Sequence, residues 1–276
     1  MTIDSHQHFW TFDPIRDSWI TDDMSVIQRN FYPDDLKPIL IQNGIDGCVA
    51  VQADQSLVET AFLLDLAAKN DFVKAVVGWI DLQADDIEEQ LSELNSVKKL
   101  AGFRHVLQAE PDVEYMLRPN FLRGIAKLQK YGFTYDILIF PKHLTTAQKL
   151  VAQFPDQPFV LDHIAKPYIK AGLIDEWKRD IQSLAKFKNL QCKVSGIITE
   201  ADWKNWTYKP IKPYLDVVFE AFGIDRIMFG SDWPVCLVAG DYAQVKGIVE
   251  TYTEDFSDSE KNKVFGENAT KFYSIV

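Results

Sequence analysis

Eight short runs rich in β-branched and aromatic residues recur along this chain, separated by segments of helical period. After the opening IDSHQHF come GIDGCVAVQ (Gly44 to Gln52), FVKAVVGWIDL (Phe72 to Leu82) and LAGFRHVLQ (Leu100 to Gln108). GFTYDILIF (Gly132 to Phe140), PFVLDHIA (Pro158 to Ala165), LQCKVSGI (Leu190 to Ile197) and DRIMFGSDW (Asp225 to Trp233) follow. Several are almost continuously hydrophobic, as strands covered by helices must be. Between them, Leu57, Ala61, Leu64 and Ala68 share one helix face, as do Phe121, Ile125 and Leu128. Trp177, Ile181 and Leu184 repeat the pattern, and so do Val245, Ile248, Val249 and Tyr252. Ser257-x-x-Glu260 is a capping box opening a last helix that runs towards Phe272.

Strand centres recur roughly every 25 to 40 residues, the size of one βα unit. No Gly/Ser/Pro-rich linker or charge block interrupts them. The pattern predicts an α/β fold, a single (β/α)8 TIM barrel forming one domain over residues 1–276. A doubly wound sheet is the alternative, but it would carry a Gly-rich phosphate turn after its first strand. That position holds His-Gln-His-Phe-Trp.

Composition narrows the function. The chain is 47% hydrophobic, ample for a barrel core. A net charge of −11 with no Lys/Arg cluster excludes a nucleic-acid binder, which exchanges basic side chains for counterions. Cys48, Cys192 and Cys236 are far apart and lack C-x-x-C spacing, so reduced thiols and a cytoplasmic location are expected. No signal-like opening and no apolar run near ~20 residues is present, so no membrane partner is expected.

Active-site residues of such barrels sit at the C-terminal ends of strands. His6 and His8 close the first strand, Arg104 and His105 the fourth, and Asp162 and His163 the sixth. Lys193 and Ser195 fall on the seventh strand and Asp232 ends the eighth, while His143 follows the fifth. Alternation along a strand turns His6 and His8 to one face, as metal ligands or as acid/base groups. Arg104 and His105 alternate, so both cannot face the barrel axis, and Asp136 and Asp162 could serve only to brace loops or cap helices. Imidazoles with one carboxylate form a divalent-metal set, here His6, His8, His163 and Asp232, with zinc the commonest choice. Such an ion acidifies a bound water and polarises a carbonyl, and Asp232 could relay the water's proton. The Phe9–Pro33 segment is placed over the same mouth. Its aromatic residues, Trp10 and Trp19 among them, suit a polyhydroxylated ring or serve as a plain hydrophobic lid.

The motifs I-D-S-H-Q-H-F-W, G-F-R-H, L-D-H-I-A-K-P, K-V-S-G and G-S-D-W-P-V occur in this order. With the closing V-F-G-E-N-A-T-K-F-Y, they resemble the amidohydrolase-related TIM-barrel hydrolases, in particular the fuconolactonase and rhamnonolactonase group. The resemblance spans Thr2 to Tyr273. It implies a barrel of the metal-dependent-hydrolase type and a carboxylic ester hydrolase that opens a sugar-acid lactone by attack of water on the carbonyl. Asp232, His163 and His105 are then the expected catalytic residues, and Arg104, Trp10, Trp19, Lys193 and Trp233 the expected substrate contacts. The superfamily's bridging carboxylated lysine has no counterpart on strand four, which argues against two metals. One zinc is expected, or a metal-free site in which the histidines and Arg104 meet the oxyanion directly. The expected partner is a small lactone; a homodimer is compatible with the chain.

Three rivals differ in what they need. A pyrone-dicarboxylate or muconolactone lactonase would favour several arginines at the mouth; Arg104 is at a strand end, and Arg16 and Arg29 lie in the first loop. A non-oxidative decarboxylase could use the same barrel. A catalytically silent sugar-acid-binding barrel would tolerate loss of Asp232 or of the H-x-H pair, and both are intact.

Overall fold

The computed structural model describes residues 1–276. Eight strands form one parallel sheet in sequence order. They are β1 (Ile3–Gln7), β2 (Gly47–Val51), β3 (Val73–Gly78), β4 (Leu100–His105), β5 (Thr134–Ile137), β6 (Phe159–Leu161), β7 (Leu190–Val194) and β8 (Ile227–Phe229). A parallel bridge between Gln7 and Trp233 brings the chain beyond β8 back to β1. The outer layer comprises α1 (Pro33–Gln42), α2 (Leu57–Lys69), α3 (Ile87–Leu94), α4 (Pro119–Leu128), α5 (Leu144–Gln153), α6 (Asp175–Leu184), α7 (Tyr208–Phe222) and α8 (Tyr242–Tyr252). No helix is long and apolar enough to cross a membrane. The three cysteines are buried and free.

Two of the periodic apolar faces read from the sequence are packed in full: Phe121, Ile125 and Leu128 of α4, and Trp177, Ile181 and Leu184 of α6, are buried in the core. On α2 the expected face is turned outward, with Leu57, Ala61 and Ala68 exposed and Leu64 half-buried. Leu63 and Ala67 pack instead, because this helix is apolar on more than one face and its periodicity does not single out the buried side. The Ser257 hydroxyl accepts from Glu260 N and the Glu260 carboxylate from Ser257 N, forming the expected capping box. A separate apolar plug fills the barrel itself, built from Ile3, Val49, Val51, Ala75, Val77, Val160 and Met228 and closed by Phe272 and Tyr273.

The strands are shorter than the apolar runs predict. β6 stops at Leu161 and β8 at Phe229, so Asp162–Ala165 and Gly230–Trp233 are connecting segments. Extended apolar composition is required only where a residue pairs or packs; past the barrel rim the chain is still buried but already turning.

Close packing leaves no room at Gly124 in α4, where an added Cβ would lie 2.2 Å from the Leu82 carbonyl oxygen. Helix propensity alone favours alanine by about 1 kcal/mol, but a backbone oxygen cannot withdraw as a side chain would. Gly124→Ala is therefore expected to destabilise the fold by about 1–3 kcal/mol, measured as a lower Tm with activity per folded molecule unchanged.

Candidate active site

The sequence of β1 puts two faces to use through an irregularity. Its register against β2 shifts between Asp4 and Gln7, so Ile3 belongs to the apolar plug while His6 and His8 both turn to the mouth above it. Asp4 faces outward and accepts from Ser231 N (2.9 Å), Ser231 Oγ (2.6 Å) and the Tyr242 hydroxyl (3.0 Å). His6 O accepts from Asp232 N, and Trp233 O from His8 N, at 2.8 and 2.7 Å. These bonds fix the segment after β8 against β1, and with it the Asp232 side chain.

His163 arrives on an unusual backbone. His163, Ile164, Ala165 and Lys166 all have positive φ, between 49° and 60°, a left-handed run that disfavours L-residues by roughly 1–2 kcal/mol each. The Ile164 carbonyl accepts from the Trp177 indole at 2.9 Å, and Lys166 N donates to His163 O at 2.8 Å. Strain of this kind is tolerated where the surroundings over-determine it, and it aims the imidazole at the mouth. Gly196 lets the ring pass: with φ +61° it sits where a Cβ would approach His163 Nδ1 to 2.6 Å.

Three imidazole nitrogens converge on one carboxylate oxygen. Asp232 Oδ1 lies 3.3 Å from His8 Nε2 and 3.9 Å from both His6 Nε2 and His163 Nε2. Burial pushes all three histidines below their ordinary pKa, His6 and His163 well below. Asp232 is held below the ordinary carboxylate range despite the upward push of its own burial. His8 Nδ1 is 2.7 Å from the Val51 carbonyl, which can only accept, so a neutral His8 carries its proton there and turns a lone pair to Asp232. A lone pair facing an anion at 3.3 Å is repulsive unless a cation lies between them.

The donors fit such a cation. Ligand atoms of His6, His8 and Asp232 lie within 4.8 Å of one another and all three residues are buried; His6, Asp162 and His163 form a second set. Bonds of 2.0–2.1 Å in a tetrahedron separate neighbouring ligands by roughly 3.4 Å, close to the observed spacing. Neither set unites all four expected ligands: His163 shares a set with His6 but not with His8 and Asp232.

Above this floor opens a cavity of about 430 Å³, lined by His8, Trp10, Trp19, Arg104, His163 and Asp232. An antiparallel bridge between Trp10 and Phe31 folds the first loop over it. A model of the amidohydrolase family matches residues 3–275. The chain belongs to the amidohydrolase family. Its sequence is 38% identical to an L-fucono-1,5-lactonase from Burkholderia multivorans, over 100% of this chain and 96% of the relative. It is 34% identical to an L-fucono-1,5-lactonase from Burkholderia ambifaria, over 99% and 95%. It is also similar to the crystal structure of a Burkholderia multivorans amidohydrolase with bound zinc, at a TM-score of 0.97 and 38% identity over 100% of both chains.

In this amidohydrolase three expected site residues lie elsewhere. His105 faces outward from β4: it stacks on Tyr115, accepts from the Trp79 indole at 3.3 Å and pairs with Glu110 at 2.8 Å. Alternation had allowed only one of the Arg104–His105 pair to face the axis, and it is Arg104. Lys193 is fully buried beneath the mouth, bonded to Asp136 and His6 rather than open to a ligand. Trp233 is buried against Phe9 and Phe31. His143 caps its own turn, its Nδ1 near Phe140 N. Asp136 and Asp162 do more than brace loops: they share the barrel axis with Lys193. The cavity also presents Asp54, Gln55, Gln108, Lys166, Glu200 and Trp203, which sequence reasoning did not single out. They come from loops after β2, β4, β6 and β7, where no periodicity marks a lining residue.

Proposed function

We propose that this amidohydrolase opens a sugar-acid lactone of the L-fucono-lactone type by hydrolysis. The observation that carries the reading is the convergence of Asp232 with three lone-pair-bearing imidazoles at the floor of a cavity whose walls mix indoles with carboxylates and amides. Trp10, Trp19 and Trp203 offer flat apolar faces to a ring, and Asp54, Gln55, Gln108 and Glu200 offer partners to its hydroxyls. The lactonase relatives support the same class of substrate.

Arg104 meets the substrate carbonyl. Its guanidinium lines the cavity while one edge is held by Asp162 and Gln52, so it is oriented before substrate arrives and stabilises the oxygen as negative charge develops. Asp232 accepts the proton of the attacking water and returns it to the ring oxygen as the C–O bond breaks. His163 holds its Nδ1 2.9 Å from Ser195 Oγ and directs its other nitrogen to the same centre. One zinc ion held by His6, His8 and Asp232, with His163 beside them, would supply an acidified water and carbonyl polarisation.

A dianionic pyrone substrate fits less well. Arg104 is matched by Asp162, Arg16 by Asp17 and Arg29 by Asp35, so the arginines near the mouth already have carboxylate partners. A pH-indicator screen over aldonolactones, pyrone dicarboxylates and aromatic acids tests the assignment. Turnover of the sugar-acid lactones is expected; turnover confined to either of the other classes would overturn it. Chelator-treated protein titrated with zinc is expected to take up one equivalent. His8→Ala should weaken that binding by more than the roughly 10–100-fold that loss of an outer-shell partner costs.

A further inference from the structure

Three cations line the cavity: Arg16, Arg104 and Lys166. Asp17 meets the first at 2.7 Å and Asp162 the second at 3.0 Å. The Lys166 ammonium makes no hydrogen bond or ion pair and stands 5.8 Å from the centre of the Phe140 ring. Glu200 also lines the cavity, is half-buried and has no side-chain partner. The other carboxylates there have close neighbours, Asp54 the Ser56 hydroxyl at 2.7 Å and Asp232 the imidazoles. Burial raises the Glu200 carboxyl and Lys166 draws it down, so the two charges act on one another without touching.

An unfavourable backbone sets the place of Lys166. With φ +49° it closes the left-handed run that begins at His163, and its N donates to His163 O, an i to i+3 bond. A turn of three residues eclipses positions i and i+3. His163 and Lys166 therefore fall on one side and both line the cavity, whereas Ile164 and Ala165 between them are fully buried. Glycine adopts such a φ freely and lysine does not. Packing does not ask for a lysine at the end of this turn, because no group of the protein pairs with its ammonium.

A free donor and a free acceptor lining one cavity fit a group that is both. A hydroxyl accepts from an ammonium and donates its own proton to a carboxylate, and two such charge-assisted bonds reinforce one another. A carbonyl, a ring oxygen or a product carboxylate would use Lys166 alone and leave Glu200 unmatched. We propose that Lys166 and Glu200 clamp one hydroxyl of the substrate and thereby determine which lactones are opened. This assignment rests on the lactonase reading and names a specificity-determining pair within it.

The test compares kcat/KM for a sugar-acid lactone with that for the unsubstituted lactone of the same ring size, which shares the carbonyl and ring oxygen but has no hydroxyls. Lys166→Met keeps the side-chain stem and removes the charge. It is expected to lower kcat/KM for the sugar lactone roughly 10- to 150-fold, the worth of a charged hydrogen bond, and to leave the unsubstituted lactone within about threefold of wild type. Lys166→Arg is expected to restore part of the loss. Glu200→Gln should show the same selective loss, and the double variant Lys166→Met/Glu200→Gln should lose far less than the product of the two, because both groups grip one hydroxyl. Equal losses on both lactones would place Lys166 at the reacting atoms, and multiplicative losses would place the two residues on separate groups; either result overturns the clamp. Lys166→Gly relieves the left-handed backbone, so its Tm is expected to be unchanged or raised while the preference is still lost. A lowered Tm with the preference retained would make Lys166 a residue of the fold and overturn the proposal. Wild type that opens no sugar lactone overturns the lactonase reading and the clamp together, whereas wild-type turnover with the preference intact in Lys166→Met overturns the clamp alone.

Discussion

Asp232→Asn is expected to lower kcat/KM for lactone opening by about 1,000-fold or more while leaving the barrel folded. Proton transfer by a positioned side chain contributes roughly 10²–10⁴-fold, and the asparagine amide has no basic oxygen to take the water's proton. The fold tolerates the change for a specific reason. His8 turns a lone pair to the carboxylate oxygen at 3.3 Å, so an amide N–H in that place meets an acceptor instead of repelling it. Asp232 N still donates to His6 O, because that bond belongs to the backbone. Loss of activity at an unchanged or raised Tm is the expected pair of results. Retention of more than a tenth of wild-type activity would remove Asp232 from the chemistry.

Arg104→Met should fail in a different way, losing stability and activity together. The guanidinium donates to Asp162 and to the Gln52 carbonyl, and both partners are buried. Removing it leaves Asp162 with one cation fewer and Gln52 O without its donor, and breaking a buried ion pair from one side costs about 3–5 kcal/mol. For a chain of this size that corresponds to a Tm lowered by roughly 6–20 °C. Loss of an oxyanion donor lowers kcat by roughly 10²–10³-fold. Thermal unfolding and steady-state kinetics on the same preparation separate the two effects. A variant with wild-type Tm and reduced kcat would show that Arg104 matters to substrate alone, and wild-type values of both would contradict its place in the barrel.

The barrel was legible because its cause is local: apolar runs at βα spacing leave few alternatives. His6, His8, His163 and Asp232 were legible as a group because strand ends converge on one mouth, whatever the details. The facing of individual side chains was not. A one-residue shift reverses every side chain of a strand, and β1 contains such a shift between Asp4 and Gln7. Lys193 illustrates depth rather than direction: it points to the axis, as a strand-end residue should, but ends below the mouth among Asp136, Asp162 and His6. Trp233 follows Asp232 in a connecting segment where Asp232 has a φ of +57°, so strand alternation does not apply, and it packs into the aromatic cluster with Phe9 and Phe31. Glu200 and Trp203 reach the cavity from a loop whose path depends on packing against its neighbours, which no spacing in the sequence records.

The bonds from Asp4 to Ser231 and from His6 to Asp232 join residues more than 220 positions apart. They lie on the seam where the first and last staves meet, and the proposed chemistry lies on that seam too. Contacts of such separation form only after the intervening loops have closed, at an entropic cost that local helices do not bear. A chain still emerging from the ribosome, or a half-barrel cut between β4 and β5, therefore has no assembled centre, because His6 and His8 lie in one half and His163 and Asp232 in the other. Mixing two such halves would restore turnover only on reannealing of both edges. Turnover is thus a direct report on ring closure, and a sensitive one for fragment complementation.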